Sequence, residues 1–310
     1  MPHAYPYLTG LIEHAACRAE IVLAVVYPCE PLALRASLDV AARGLAQVTL
    51  VGPQARMAQI ALESDVDLSR VEVVDTADDP IAAAHAAAAL VAEGRAHMLM
   101  KGSLHTDELM GVLVSREAGL RTNRRISHAF MFDMPDVDRP LMLTDCVVNI
   151  EPDLLVKRDI VQNAIDLAHA IGIGRPRVGI LSATEAINPA IRGTVDAAAL
   201  CKMAERGQIT GGELDGPLGF DNAISAESAR IKHIASTVAG SPDILLVPNL
   251  ETGNTLYKSL IYLGHAQCAG LVLGTRVPVV LTSRTDSEFS RLASVALGVV
   301  VASKPHAVAA

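Results

Sequence analysis

The sequence predicts an α/β protein, and three observations predict it. Short apolar, often β-branched runs alternate with longer Ala/Leu-rich segments, the pattern of βαβ units and a mainly parallel sheet. Each run is short enough to be a strand buried on both faces. The chain has 310 residues, 51% apolar and 19% charged, which is enough for a sizeable core and excludes disordered, collagenous and disulfide-scaffold classes.

The elements follow in order. Ile21 to Tyr27 is the first strand expected, followed by a helix over Pro31 to Arg43. Strands at Val48 to Val51, Val71 to Val74 and Met98 to Met100 then alternate with helices at Pro53 to Leu62, Ile81 to Glu93 and Thr106 to Glu117. Ile126 to Phe132 is strand-like, and Leu141 to Leu143 is a further strand. Pro152 stands where a helix start tolerates proline, ahead of a long helix over Asp153 to Ile171. Strand Val178 to Leu181, helix Arg192 to Arg206, strand Ile244 to Val247 and helix Asn254 to Leu263 come next, with Gly264 as the stop signal. Leu271 to Leu273, Val277 to Leu281 and a helix over Asp286 to Leu297 complete the pattern. So many strands in one chain imply two sheets, and the Pro/Asp-rich passage DMPDVDRP, from Asp133 to Pro140, is expected to be the crossing between them.

Composition narrows the function. Aromatic residues are only 3% and Trp is absent, so a base-stacking nucleic-acid platform lacks its side chains. A formal charge of -8 opposes broad polyanion binding but is compatible with a local cationic pocket for a small phosphate. Five cysteines, scattered without CxxC, are the usage of a reducing compartment, and a cytoplasmic protein is expected. Ile21 to Tyr27 is too short for a membrane span and lacks the flanks of a signal peptide, so no membrane partner is expected. The histidines show neither HExxH nor paired-ligand spacing, and no metal site is expected.

Four segments carry candidate chemistry. In VPVVLTSRTDSEFSRLASVAL, from Val277 to Leu297, an apolar strand ends in Ser283 and Arg284 and a helix begins at Asp286 and Glu288. Strand ends of this kind face the ligand crevice of α/β sheets, and free helical N–H groups favour an anion. The plainer reading is a capping box between Thr285 and Glu288. In MLMKGSLHTDE, from Met98 to Glu108, Lys101 follows a strand and is a phosphate partner by position, with Gly102 allowing close backbone approach and His105 as either a base or a loop residue. In GLRTNRRIS, the guanidinium groups of Arg121, Arg124 and Arg125 suit a phosphate or a solvated turn. In LLVPNLETGNTLYKSLIYL, Gly253 marks a bend, and Asn254 and Lys258 share a helix face that suits an anionic or amide-bearing ligand. GxGxxG, P-loop and GxSxG signatures are absent.

Taken together these segments resemble the phosphate acetyltransferase and phosphate butyryltransferase family, with the butyryl branch looking closer. The likeness runs from about Met98 to Ala302. It is carried by MKG at Met100 to Gly102, GLRT at Gly119 to Thr122, LTDCVVNIEPD at Leu143 to Asp153, the stretch from Thr194 to Ser225, DILLVPNLETGNTLYKSL at Asp243 to Leu260 and PVVLTSRTDS at Pro278 to Ser287.

The resemblance implies two αβα-sandwich domains with a cleft between them, related to the isocitrate and isopropylmalate dehydrogenase fold. It would place the first domain at 1–137 plus 271–310 and the second at 138–270. It implies reversible transfer of a short acyl group, acetyl to butyryl, between CoA and phosphate, through a ternary complex and without a metal. CoA is then a substrate, with no permanently bound cofactor, and a homodimer or larger homo-oligomer is expected. By the same resemblance Ser283 orients the thiol and Arg284 stabilises developing charge, while Lys101 and Arg121, with Arg125 in reserve, hold phosphate. A CoA thiol must lose its proton to attack a carbonyl, and a carboxylate can accept it. Acetyl-type members place that aspartate seven residues after the serine, where this chain has Ser290, so Asp286 or Glu288 is the substitute. They also place an arginine on the helix after a His-Thr pair, whereas His105 and Thr106 lead to Val112 here. Two other readings are a noncatalytic CoA- or acyl-phosphate-binding regulator and a metal- and NAD-dependent dehydrogenase on the related fold.

Overall fold

The computed structural model describes residues 5–17, 20–135, 137–281 and 286–304. The elements begin with α1 (Pro6–Ala15), β1 (Val22–Val26), α2 (Pro31–Ala42), β2 (Gln47–Gly52), α3 (Gln54–Glu63), β3 (Glu72–Asp75), α4 (Pro80–Ala92), β4 (Met98–Lys101) and α5 (Thr106–Val114). They continue with β5 (Ser127–Asp133), β6 (Leu141–Thr144), α6 (Leu154–Ala170), β7 (Arg177–Leu181), α7 (Arg192–Glu205), β8 (Glu213–Leu218), α8 (Phe220–Ile224) and α9 (Ala226–Ile231). The last are β9 (Ile244–Leu246), α10 (Leu250–Tyr262), β10 (Gln267–Leu273), β11 (Val279–Val280) and α11 (Glu288–Ala302).

The chain forms two compact units. The flanking unit takes Pro6–Ile126 and the segment from Ala269 onward; the central unit is Ser127–Cys268, with Tyr5. In the flanking unit the strands run β3-β2-β1-β4-β11-β10. All are parallel to their neighbours except β10, which lies antiparallel to β11. Leu23 to Val26, Met98 to Met100 and Val279 to Val280 are buried because helices cover both faces, which is why they read as continuous apolar runs. Helix α4 packs through Ala83, Ala84, Ala87 and Ala88, and starts where the Asp79 carboxylate accepts from the Ile81 N–H. Helix α11 buries Leu292, Val295, Ala296 and Val299, one face of a 3.6-residue repeat.

In the central unit the order is β5-β6-β9-β7-β8, with β5 antiparallel to β6 and the rest parallel. Its core gathers Phe132, Leu141, Leu143, Leu181, Leu218, Leu245 and Val247. Helix α6 starts one residue after Pro152–Asp153, and the Asp153 carboxylate accepts from the Val156 N–H.

Three differences from the sequence reading have physical causes. Strand β8 carries Gly216 and Pro217 and pairs only with β7 at the edge, so its composition hides it. Helices α1, α8 and α9 also lie outside the expected elements. The passage between Asp133 and Pro140 joins antiparallel β5 and β6 inside the central unit, and the units divide at 126/127 and 268/269, because β5 pairs with β6.

Candidate functional site

In the flanking unit, Leu23 to Val26 of β1 stand level with Met98 to Lys101 of β4, and Val279 and Val280 of β11 with Leu99 and Met100. The carboxyl ends of the three strands therefore form one edge, the edge where open α/β sheets bind ligands. Lys101 is the last residue of β4 and leaves from this edge; the chain leaves β11 there as well. The half-buried Lys101 ammonium donates to the Leu104 carbonyl at 3.0 Å, so the loop curls around its own cation. The Ser103 hydroxyl in the same loop is buried without a protein partner.

Gly102 is dictated by the neighbouring strand rather than by ligand access. A Cβ there would lie 2.4 Å from the Val26 carbonyl oxygen and 2.8 Å from the backbone of Pro28. His105 is the N-cap of α5, its backbone N–H donating to the Glu108 carboxylate at 2.7 Å.

Ser283 and Arg284 lie outside the described residues, as does Thr285. Beyond them, α11 starts at Glu288 with Ser287 as N-cap, its hydroxyl accepting from the Ser290 N–H at 3.0 Å. The cap is thus two residues later than the Thr285 reading places it. Glu288 pairs with Arg43 at 3.0 Å, both side chains more than half exposed, and Asp286 offers its carbonyl to Arg291 at 2.9 Å.

The arginine cluster goes elsewhere. Arg121 bridges Thr275, and the Arg276 N–H donates to the Leu120 carbonyl, so this turn is tied to the loop leading into β11. That loop is at the amino end of β11, whereas Lys101 is at the carboxyl end of β4. The two cations are therefore not brought to one sheet edge. Arg121 and Arg125 are exposed.

The carboxyl edge of the central unit is built around Asp145, which sequence reasoning did not single out although it lies within LTDCVVNIEPD. Its buried carboxylate accepts from the N–H groups of Val147, Val148 and Asn149 and from the Asn149 amide at 2.6 Å. Burial pushes its pKa upward against the pull of these donors. Next to it α10 begins at Leu250, earlier than expected, capped by the Asn249 side chain accepting from the Thr252 N–H. Gly253 is inside the first turn, not at a bend; a Cβ would lie 2.9 Å from the Asp145 carbonyl and 2.8 Å from a Val247 methyl. Asn254 and Lys258 are one turn apart on α10, half-buried and exposed respectively. They belong to the central unit, and Lys101, Arg121, Arg125, Asp286 and Glu288 to the flanking unit.

Among the described residues no group of three or more His, Cys, Asp or Glu is arranged to hold a metal ion, and no helix is long and apolar enough to cross a membrane.

Residues 81–299, including the β4 loop, the Asp145 loop and α10, match the family model described as phosphate acetyl/butaryl transferase. The chain belongs to this family. Among its relatives is a phosphate acetyltransferase of Rhizobium meliloti, 54% identical over 297 residues that cover 96% of this chain and 94% of the relative. A phosphate butyryltransferase of Clostridium acetobutylicum is 43% identical, covering 88% of this chain and 90% of its own. Identity is thus higher to the acetyl-named relative, against the expectation that the butyryl branch is the nearer one. A branched-chain phosphotransacylase from Enterococcus faecalis superposes with a TM-score of 0.80 at 30% identity, covering 91% of this chain and 99% of that one. A Salmonella typhimurium chain assigned as a 4-hydroxythreonine-4-phosphate dehydrogenase gives 0.61 at 12% identity, covering 91% and 99%, a likeness of fold alone. Within the phosphate acetyl/butyryl transferase family the α/β expectation therefore holds, together with fold similarity to a dehydrogenase.

Proposed function

We infer that this acyltransferase catalyses acyl-CoA + phosphate = acyl phosphate + CoA, reversibly. The observation that carries the reading is the family match over residues 81–299, joined to 54% identity with a phosphate acetyltransferase across nearly the whole chain. The acyl group is short, acetyl to butyryl, since relatives bearing both names are similar to this chain.

In the proposed chemistry the CoA thiolate and the acyl phosphate meet in a ternary complex, without an acyl-enzyme. Ser283 orients the thiol, and Arg284 stabilises charge developing on the carbonyl oxygen and the departing phosphate. Asp286 or Glu288 takes the thiol proton, Glu288 being the one that also pairs with Arg43. Lys101, at the carboxyl edge of the flanking sheet, is the cation proposed for phosphate; Arg121 and Arg125, expected beside it from the sequence, sit in the turn tied to the amino end of β11 and are not proposed to share its site. Asn254 and Lys258 are proposed contacts for an anionic or amide-bearing part of the substrates. A cytoplasmic homo-oligomer is the setting we propose, CoA being a substrate and no cofactor being held permanently.

The test is thiol release from acetyl-, propionyl- and butyryl-CoA as a function of phosphate, with and without EDTA. Release that requires phosphate and survives the chelator is the expected result. CoA binding with no release at any phosphate concentration would instead identify a regulator.

A further inference from the structure

We infer that Tyr27 is a positioning residue for the phosphate step, holding the Lys101 loop through its own backbone carbonyl. The inference rests on the reading that Lys101 binds phosphate.

Tyr27 follows β1 with φ of 51°, in the left-handed region that a bulky aromatic residue seldom adopts. Such a conformation persists only where the surroundings over-determine it. Here they do so from three sides. The Tyr27 N–H donates to the Val51 carbonyl at 2.7 Å. Its hydroxyl donates to the Asp78 carboxylate at 2.6 Å and accepts from the Arg56 guanidinium at 2.7 Å. Arg56 closes the triangle by donating to the same Asp78 oxygen at 2.9 Å, with its guanidinium carbon 5.6 Å from the centre of the Tyr27 ring. Burial, followed by the bond to Asp78, pushes the phenol up to about 12, so it remains a donor throughout the neutral range.

The turned backbone holds the loop of β4. The Tyr27 carbonyl accepts from the N–H groups of Cys29 and Ser103, each at 2.9 Å, and the preceding Val26 carbonyl accepts from Gly102 at 2.9 Å. Two successive residues after Lys101 are thereby fixed to two successive carbonyls, the last of β1 and the one that follows it. The missing side chain at Gly102 is the condition for that approach, because its Cβ would overlap Val26 and Pro28. Tyr27, Arg56 and Asp78 come from three different loops or helices and make no bond to the Lys101 side chain, so their influence on it passes through this backbone.

The experiment measures phosphate KM, acetyl-CoA KM and kcat by thiol release on the full chain, with thermal melts alongside. Tyr27→Phe is expected to raise phosphate KM about ten-fold while kcat and acetyl-CoA KM stay within about two-fold. Lys101→Ala is expected to raise phosphate KM at least as much, and adding Tyr27→Phe to it changes KM by less than about two-fold, because the clamp then has no ammonium to place. Asp78→Ala reproduces Tyr27→Phe and serves if that variant does not fold. Asp78→Asn, which keeps an acceptor for the phenol, restores phosphate KM to within about three-fold of wild type. An unchanged phosphate KM in folded Tyr27→Phe overturns the inference while leaving the Lys101 reading intact. So do a parallel rise of both KM values and full additivity with Lys101→Ala. An unchanged phosphate KM in Lys101→Ala itself overturns the Lys101 reading, and this inference with it.

Discussion

The Lys157 ammonium lies 2.7 Å from a carboxylate oxygen of Asp196, and both side chains are at least nine-tenths buried. The pair joins α6 to α7, with Arg192 a further 3.5 Å from the same carboxylate. Removing one member of a buried pair leaves the other charge desolvated and costs about 3–5 kcal/mol. Lys157→Met is expected near the lower end of that range, since Arg192 still faces Asp196. The double variant Lys157→Met/Asp196→Leu should be closer to wild type than the single one. Urea melts of the two variants check both statements.

A second prediction concerns acid stability. His128 is buried in β5, its Nδ1 without a partner and its ring 4.4 Å from that of Phe130. Burial drives its pKa down from 6.5 to about 3. The folded state therefore keeps the imidazole neutral while the unfolded chain protonates below pH 6.5. The stabilisation is complete above pH 6.5 and is lost as the pH falls from there toward 3, with a slope of at most about 1.4 kcal/mol per pH unit. His128→Phe should flatten this limb in denaturant melts between pH 4 and pH 7, apart from its effect at neutral pH.

Gly102→Ala forces a methyl group against backbone atoms that cannot swing aside. The expected cost is about 1–3 kcal/mol of stability, as for other overpacked sites. Because the two hydrogen bonds beside Lys101 must shift, phosphate KM should rise as well. Retention of both wild-type Tm and wild-type KM would show that the strand contact is not what fixes this glycine.

Ser283→Ala and Arg284→Ala test the proposed chemistry directly. If Ser283 orients the thiol and Arg284 stabilises developing charge as proposed, kcat is expected to fall by roughly 10²–10³ in each variant. Melting temperature should be little changed. Wild-type turnover at saturating CoA and acyl phosphate would exclude both residues from the reaction.

The βαβ alternation was legible because β1, β4, β6, β7 and β9 are covered on both faces, and such strands must be continuously apolar. Strand β8 was not, since Gly216 and Pro217 are tolerated at an edge and erase the pattern. At the candidate site, Lys101 was legible from its place after an apolar run. Asp145 was not, because a carboxylate serving three backbone N–H groups looks, in sequence, like any loop aspartate. Arg121 shows the converse: three nearby arginines suggested one anion site, but backbone pairing of Arg121 with Thr275 and of Leu120 with Arg276 carries that turn to the opposite end of the β4/β11 pair. The left-handed turn at Tyr27 has no compositional signature, since glycine or asparagine is the usual marker of that conformation.

The stack of Tyr257 on Phe130, with ring centroids 4.3 Å apart and planes 1° from parallel, has an optical consequence. With no Trp and five Tyr in the chain, near-ultraviolet dichroism must come chiefly from tyrosines held in fixed asymmetric surroundings. Tyr257 is such a chromophore in the central unit and the clamped Tyr27 is one in the flanking unit. Comparing Tyr257→Phe and Tyr27→Phe spectra would assign the signal to each, so that melting of the two units can be followed separately without attaching a label.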